Sequence, residues 1–201
     1  MLKNDSELKL TQKREVLRLR IIQPNGLLSI ARCLLSPHCD ERPDNATVDM
    51  VVVHGISLPP RHFGTAYIED FFCGKLNSAL HPYFVTIATL KVSAHLLIAR
   101  TGEVIQFVPF TKRAWHAGRS YFAGREKCND FSIGIELEGT DDLPYENVQY
   151  EQLAHVLRML MLAYPAITRG RIVGHSDIAP GRKTDPGPLF DWSYLDCLLM
   201  K

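Results

Sequence analysis

A chain of 201 residues with 46% apolar and 22% charged content suits one domain whose core needs no cross-links. Its formal net charge of +1 excludes the broad basic footprint of a nucleic-acid binder or of a protein held on an acidic membrane. The five cysteines, at 33, 39, 73, 128 and 197, are scattered and form no CxxC pair. That excludes a zinc ribbon and a disulfide framework and points to reduced thiols in a cytoplasmic protein.

The N-terminus, Met1-Leu2-Lys3-Asn4-Asp5-Ser6-Glu7, lacks the apolar region of a secretory signal. Residues 1 to about 15 are charged and without a sustained pattern, so 1–30 is expected as an N-terminal extension and 31–201 as the functional domain. Val16 to Ile22 alternates in part and predicts an edge strand. Residues 36–46, with two prolines, predict a polar connector. Met50-Val51-Val52-Val53-His54 is the β-branched run of a strand buried on both faces, and it ends in a histidine followed by Gly55. From about Thr65 to Leu76, apolar residues at 68, 71, 72 and 76 share one helical face.

Ser93 to Arg100 and Glu103 to Val108 flank Thr101-Gly102 and predict a β-hairpin. Phe131 to Leu137 predicts another strand. A long helix is expected from near Asn147 to Tyr164, with Val148, Leu153, Val156, Leu157, Leu160 and Met161 on its buried side and Pro165 as its stop. The apolar window around Val156 to Ile167 is broken by Arg158 and Pro165 and is too short to span a bilayer. Ile172 to His175 predicts the last strand, followed by a loop stiffened by Pro180, Pro186 and Pro188. The fold class expected is a single α/β domain, a central mixed β-sheet flanked by helices, with a metal site at one end of the strands.

Three side chains stand at or just beyond strand ends: His54, His175 and Asp185. Two imidazoles and one carboxylate suit zinc and leave a fourth position open for water, the pattern of catalytic sites. A lone histidine ending an apolar strand is more often structural. Of the other histidines, 38, 81, 95 and 155 form no ligand pair at i, i+4. Glu136 sits among apolar neighbours in its strand and could serve as general acid and base, with Glu138 on the same strand face. Lys183 lies two residues before Asp185 and could stabilise an oxyanion; in a polar loop a lysine is otherwise an ordinary surface residue.

Val53-His54, Trp115-His116-Ala117-Gly118, Asn129 to Glu136, and Gly174-His175-Ser176-Asp177-Ile178-Ala179-Pro180 with Arg182-Lys183-Thr184-Asp185-Pro186-Gly187 resemble the zinc-dependent N-acetylmuramoyl-L-alanine amidases of the amidase-2 class. Within it they resemble the cytoplasmic AmpD type, which acts on 1,6-anhydro-muropeptides in cell-wall recycling. The resemblance runs from about Ser36 to Trp192. It implies zinc ligands His54, His175 and Asp185, Glu136 as acid/base and Lys183 as the group polarising the amide carbonyl. It places Trp115, His116, Lys127 and Arg182 in or near the substrate groove. The implied partner is a small soluble muropeptide, met by a monomer, with neither nucleic acid nor membrane involved. Two departures stand out: Gly55 follows the first ligand where the family has a larger residue such as Asn, and Lys91 and Lys127 stand where Arg is expected. A non-catalytic module binding cell-wall fragments is the first alternative, weakened by the complete ligand set. An amidase working on intact cell wall outside the cytoplasm is the second, weakened by the missing signal.

Overall fold

The β-branched and alternating runs of the sequence become the middle of a sheet, and everything else packs on its two faces. The computed structural model describes residues 22–200. Ten strands are found among them: β1 (Arg32–Cys33), β2 (Cys39–Glu41), β3 (Met50–Ile56), β4 (Leu96–Ile98), β5 (Val104–Gln106), β6 (Lys112–Ala114), β7 (Tyr121–Phe122), β8 (Arg125–Glu126), β9 (Ser132–Glu138) and β10 (Ile172–Gly174). The α-helices are α1 (Tyr67–Phe72), α2 (Pro82–Ile87), α3 (Asn147–Ala163), α4 (His175–Ile178) and α5 (Trp192–Leu199).

The main sheet has six strands in the order β1-β5-β4-β9-β3-β10. Strands β4, β9, β3 and β10 run parallel, while β5 turns back antiparallel beside β4 and β1 follows β5. This is the mixed α/β domain expected from the sequence. The two longest strands, β3 and β9, pair over seven residues each, with His54 directly opposite Glu136.

Side-chain alternation sorts the sheet's faces. Val51 and Val53 of β3, with Ile133, Ile135 and Leu137 of β9, join a core closed by Leu153, Val156, Leu157 and Leu160 of α3 and by Leu195 and Leu198 of α5. Met50 and Val52 pack on the other side with Ala117, Cys128, Phe131 and Ile178. By the same parity, His54 falls on the face of Met50 and Val52, and Ser132, Gly134 and Glu136 fall opposite Ile133, Ile135 and Leu137. Each fully buried leucine or isoleucine here contributes about 1.5–3 kcal/mol of transfer free energy, so α3 and α5 are held mainly by their apolar faces. One buried polar tie adds direction: Gln149 Nε2 donates to the Ile98 and Glu138 carbonyls, both at 3.1 Å.

Several expectations are corrected. The connector over 36–46 contains β2, which pairs with β6 as a two-stranded ribbon; Arg113 grips the Asp40 carboxylate at 2.7 and 2.6 Å and locks it in place. The strand predicted over Ile172 to His175 ends at Gly174, and His175 opens α4 instead of closing the strand. The helix expected from Thr65 to Leu76 is confined to Tyr67–Phe72. Val148 is exposed, because at the first turn of α3 it overhangs Gly102 at the rim of the sheet. The strand expected over Val16 to Ile22 lies outside the described residues except for Ile22, which bridges to Leu28. Ile22 and Leu28 are both buried in the α3-side core, so the described part of the 1–30 segment is docked on the domain. No helix among the described residues is long and apolar enough to cross a membrane, and all five cysteines are free thiols.

Candidate metal centre and catalytic cleft

β3 delivers His54 from its C-terminal half, and β10, lying beside it, ends one residue before His175. The turn into α4 is tight: the Gly174 amide donates to Asp177 Oδ2 at 2.7 Å. The chain then doubles back. Lys183 N donates to the Ala179 carbonyl at 3.1 Å, and Ser176 N donates to the Asp185 carbonyl at 3.0 Å. That return brings Asp185 against both histidines.

The result is a triangle of ligand-type atoms. His54 Nδ1 lies 3.0 Å from His175 Nδ1, and Asp185 Oδ2 lies 3.1 Å from each. Both imidazoles are nearly inaccessible to solvent and the carboxylate is partly buried. Burial, opposed by Asp185, brings His54 down to about 4, so it is neutral at physiological pH. Burial alone would raise the Asp185 carboxyl, but the two histidine nitrogens facing it hold it well below the usual carboxylate range. The set is therefore two imidazole nitrogens and one carboxylate oxygen. A small dication that binds nitrogen and oxygen at roughly 2.0–2.2 Å wants tetrahedral ligand atoms about 3.3 Å apart. The observed triangle is within a few tenths of an ångström of that requirement, so the residues fit a metal ion.

Glu136 shares a sheet face with His54 and is buried. Its Oε2 has no hydrogen-bond partner. Burial first, and then the Asp185 charge, push this carboxyl well above the usual range, with Lys183 opposing. Glu138, the other glutamate on that face, is accounted for structurally. It accepts from Gly64 N at 2.6 Å and from Arg100 N at 3.1 Å. A buried carboxyl with a free oxygen beside a metal-ligand set has the properties of a proton carrier.

A cleft of about 320 Å³ collects His54, His175, Asp185, Glu136, Lys183, Trp115 and His116. Phe71, Tyr83, Ile87 and Leu90 form much of its apolar wall. Lys183 is exposed and pairs with no carboxylate among the described residues. The Trp115 indole is fixed by its Nε1–H, which donates to Asp40 at 3.1 Å. The other two expected groove residues stand elsewhere. Lys127 and Arg182 line a neighbouring cavity of about 620 Å³ with Arg119, Tyr121 and Glu126. Arg182 is tethered there, donating to the Ala117 and Arg119 carbonyls at 2.6 and 2.8 Å.

Tyr145 and Asn129 were not singled out from sequence for roles in this site. Tyr145 is buried and donates to the Pro186 carbonyl at 2.9 Å, bracing the segment that carries Asp185. It occupies the space beside Gly55, where an added Cβ would lie 2.3 Å from the Tyr145 hydroxyl. Gly55, noted as a departure, is thus the steric partner of Tyr145. Asn129 Oδ1 accepts from both His116 N and Ala117 N, at 3.1 and 2.8 Å. Its only sequence signal was its place in the quoted motif.

Residues 44–188 match the family model described as N-acetylmuramoyl-L-alanine amidase. The 1,6-anhydro-N-acetylmuramyl-L-alanine amidase AmpD of Escherichia coli (strain K12) is 57% identical over 176 residues, 88% of this chain and 96% of that protein. The amidase of the same name from Haemophilus influenzae is 54% identical over 167 residues, 83% of this chain and 91% of its own. A crystal structure of a selenomethionine AmpD derivative superposes with a TM-score of 0.85 at 56% identity, covering 87% of this chain and 97% of that one. The complex of AmiD from E. coli with the substrate anhydro-N-acetylmuramic acid-L-Ala-D-gamma-Glu-L-Lys gives 0.56 at 30% identity, over 79% of this chain and 60% of that one.

Proposed function

Because the chain belongs to the N-acetylmuramoyl-L-alanine amidase family, we propose that its cleft holds a catalytic zinc ion on His54, His175 and Asp185, with Glu136 and Lys183 performing the surrounding chemistry. The protein is an amidase of cell-wall recycling, hydrolysing the amide between 1,6-anhydro-N-acetylmuramic acid and the L-alanine of the stem peptide. Two imidazole nitrogens and one carboxylate oxygen suit zinc better than the oxygen-loving magnesium or calcium, and three protein ligands leave one position for chemistry. When bound, zinc acidifies water and withdraws electron density from a carbonyl.

The chain's own groups do the rest. Glu136, with Oε2 free, takes the proton of the attacking water and returns it to the alanine nitrogen as the C–N bond breaks. Lys183 offers an unpaired ammonium to the carbonyl oxygen as negative charge develops there. The products are the lactyl carboxylate of the muramic acid and the free amino group of alanine. Trp115 and the apolar wall pack the sugar, and Lys127 and Arg182, in the neighbouring cavity, supply positive charge for the peptide's carboxylates. Every residue of this set lies within the one chain, which supports a monomer as the active unit. The five free thiols suit the reducing cytoplasm, where the available substrates are soluble fragments.

One observation carries this reading most: a buried glutamate with an unpartnered oxygen, in register with one corner of a His-His-Asp triangle. The test is hydrolysis of a soluble anhydro-muropeptide and of intact sacculi, before and after exhaustive chelation and after zinc is restored. Fast, chelator-sensitive, zinc-restored cleavage of the soluble substrate is expected. Full activity after metal removal, or faster release from sacculi at matched bond concentration, would contradict it.

A further inference from the structure

We infer that His116 is a positioning residue for the metal ligand His54, holding it in the tautomer whose bare Nδ1 lone pair faces His175 and Asp185. The inference rests on the zinc reading above. The hydrogen bonds around His116 form a chain whose direction is fixed at its far end. The Cys128 carbonyl can only accept, and it takes the Ser132 hydroxyl proton at 2.6 Å. Ser132 Oγ therefore meets His116 Nε2, 3.2 Å away, as an acceptor, so that nitrogen carries the hydrogen. The neutral ring is then bare at Nδ1, which lies 2.9 Å from His54 Nε2 and accepts its N–H. With its proton on Nε2, a neutral His54 presents Nδ1 without a hydrogen to the ligand triangle. The outer partner of a ligating imidazole sets its tautomer and ring orientation in this way.

The second histidine ligand is served from the next residue. His175 Nε2 lies 3.2 Å from the Ala117 carbonyl, an obligate acceptor, which leaves His175 Nδ1 bare toward the triangle. Residues 116 and 117 thus orient both imidazoles, one by side chain and one by backbone. One side chain satisfies both of their amides, since Asn129 Oδ1 accepts from His116 N and Ala117 N. The sheet also makes room for the His116 ring. A Cβ on Gly134 would lie 2.4 Å from His116 Cγ, so a side chain there would expel the ring.

This assignment differs from a substrate contact. Among the described residues both ring nitrogens of His116 are already engaged within the protein, by His54 and Ser132, so neither is left for a muropeptide. The role belongs to metal affinity and not to substrate affinity.

The test measures zinc affinity of the apo-protein by competition with a chromophoric chelator, together with melting midpoints of the apo-proteins and kcat and KM of the zinc-loaded forms. His116→Ala should bind zinc about 10- to 100-fold more weakly. His116→Asn, whose Oδ1 can accept the His54 N–H in place of the ring nitrogen, should restore affinity to within about threefold of wild type. Ser132→Ala, which removes only the far link, should give an intermediate loss. If His116→Ala does not fold, His116→Leu fills the ring's space without an acceptor and takes its place. Wild-type zinc affinity in the Ala or Leu variant, with KM alone raised, would overturn the inference in favour of a substrate contact. Equal zinc loss in His116→Asn and His116→Ala, with both apo midpoints lowered, would overturn it in favour of a structural role. Failure of the wild type to bind zinc would be a separate result, removing the metal reading itself and this inference with it.

Discussion

Glu136→Gln separates a proton carrier from a structural glutamate, and the structure sets the size of both effects. Glutamine keeps the shape of the side chain and cannot cycle a proton. If Glu136 is the acid and base, turnover falls by about 10²–10⁴, or roughly 3–5 kcal/mol of transition-state stabilisation. The stability effect runs the other way. Glu136 Oε2 is buried without a partner, and burial with the Asp185 charge already disfavours the ionised form. An unsatisfied buried polar atom costs about 1–3 kcal/mol; glutamine keeps one in the same place, so the substitution removes only the cost of burying a charge there. For a domain of this size each kcal/mol moves the melting midpoint by about 2–4 °C. The apo-variant should melt at or slightly above the wild-type temperature, and zinc content should remain at one per chain. One preparation, assayed for turnover on a soluble anhydro-muropeptide, zinc content and melting midpoint, gives all three values. Near-normal turnover would remove Glu136 from the mechanism. Lost zinc would make it a ligand, and a midpoint several degrees lower would make it structural.

Lys183→Ala should lower turnover by about 10²–10³ with zinc retained, the effect of losing one oxyanion donor; the double variant with Glu136→Gln should lose less than the product of the single losses, because both groups act on one tetrahedral intermediate. Gly55→Ala should cost about 1–3 kcal/mol in denaturant unfolding, since its Cβ would collide with the Tyr145 hydroxyl that braces Pro186. Adding Tyr145→Phe should recover part of that cost, and a Gly55→Ala protein as stable as wild type would refute the steric account. His95 is wholly buried, and burial, reinforced by the nearby Arg42 charge, lowers its pKa well below the usual value. The unfolded chain takes up this proton near pH 6.5 and the folded chain does not, so below that pH His95 removes stability at about 1.4 kcal/mol per pH unit. Stability from denaturant unfolding should fall between pH 7 and 5 more steeply than that single-proton slope, since His54 is lowered as well, and His95→Gln should flatten the fall by one proton's worth.

The parts of this molecule legible in the sequence are those where burial imposes a period. Val51 to Val53 and Ile133 to Leu137 must alternate between two covered faces, so their strands and the parity of His54 and Glu136 could be read directly. The α3 helix was legible because Leu153, Val156, Leu157 and Leu160 form one stripe. β2 and β6 were not, because a two-stranded ribbon held by Arg113 and Asp40 needs no apolar alternation. The C-terminal α5 was missed although Leu195 and Leu198 are spaced for one face, since eight residues make a short signal. At the site, His54, His175 and Asp185 were visible as strand-end chemistry, and their order in the motif singled them out. What sequence could not reveal was which neighbour faces which cavity. Lys183 lines the cleft of His54, His175 and Asp185 while adjacent Arg182 turns to the Ala117 and Arg119 carbonyls. The fit of Tyr145 to Gly55 was equally hidden, because it joins side chains far apart in the chain through shape alone.

The claim on which the account depends is that His54, His175 and Asp185 hold one zinc ion between them. A crystal of the zinc-loaded protein, measured on both sides of the zinc absorption edge, tests it directly. The account predicts one strong anomalous peak per chain, about 2.0–2.2 Å from His54 Nδ1, His175 Nδ1 and Asp185 Oδ2. No peak there in active protein, or a peak bound through Glu136 or through the Nε2 atoms of the histidines, would contradict it.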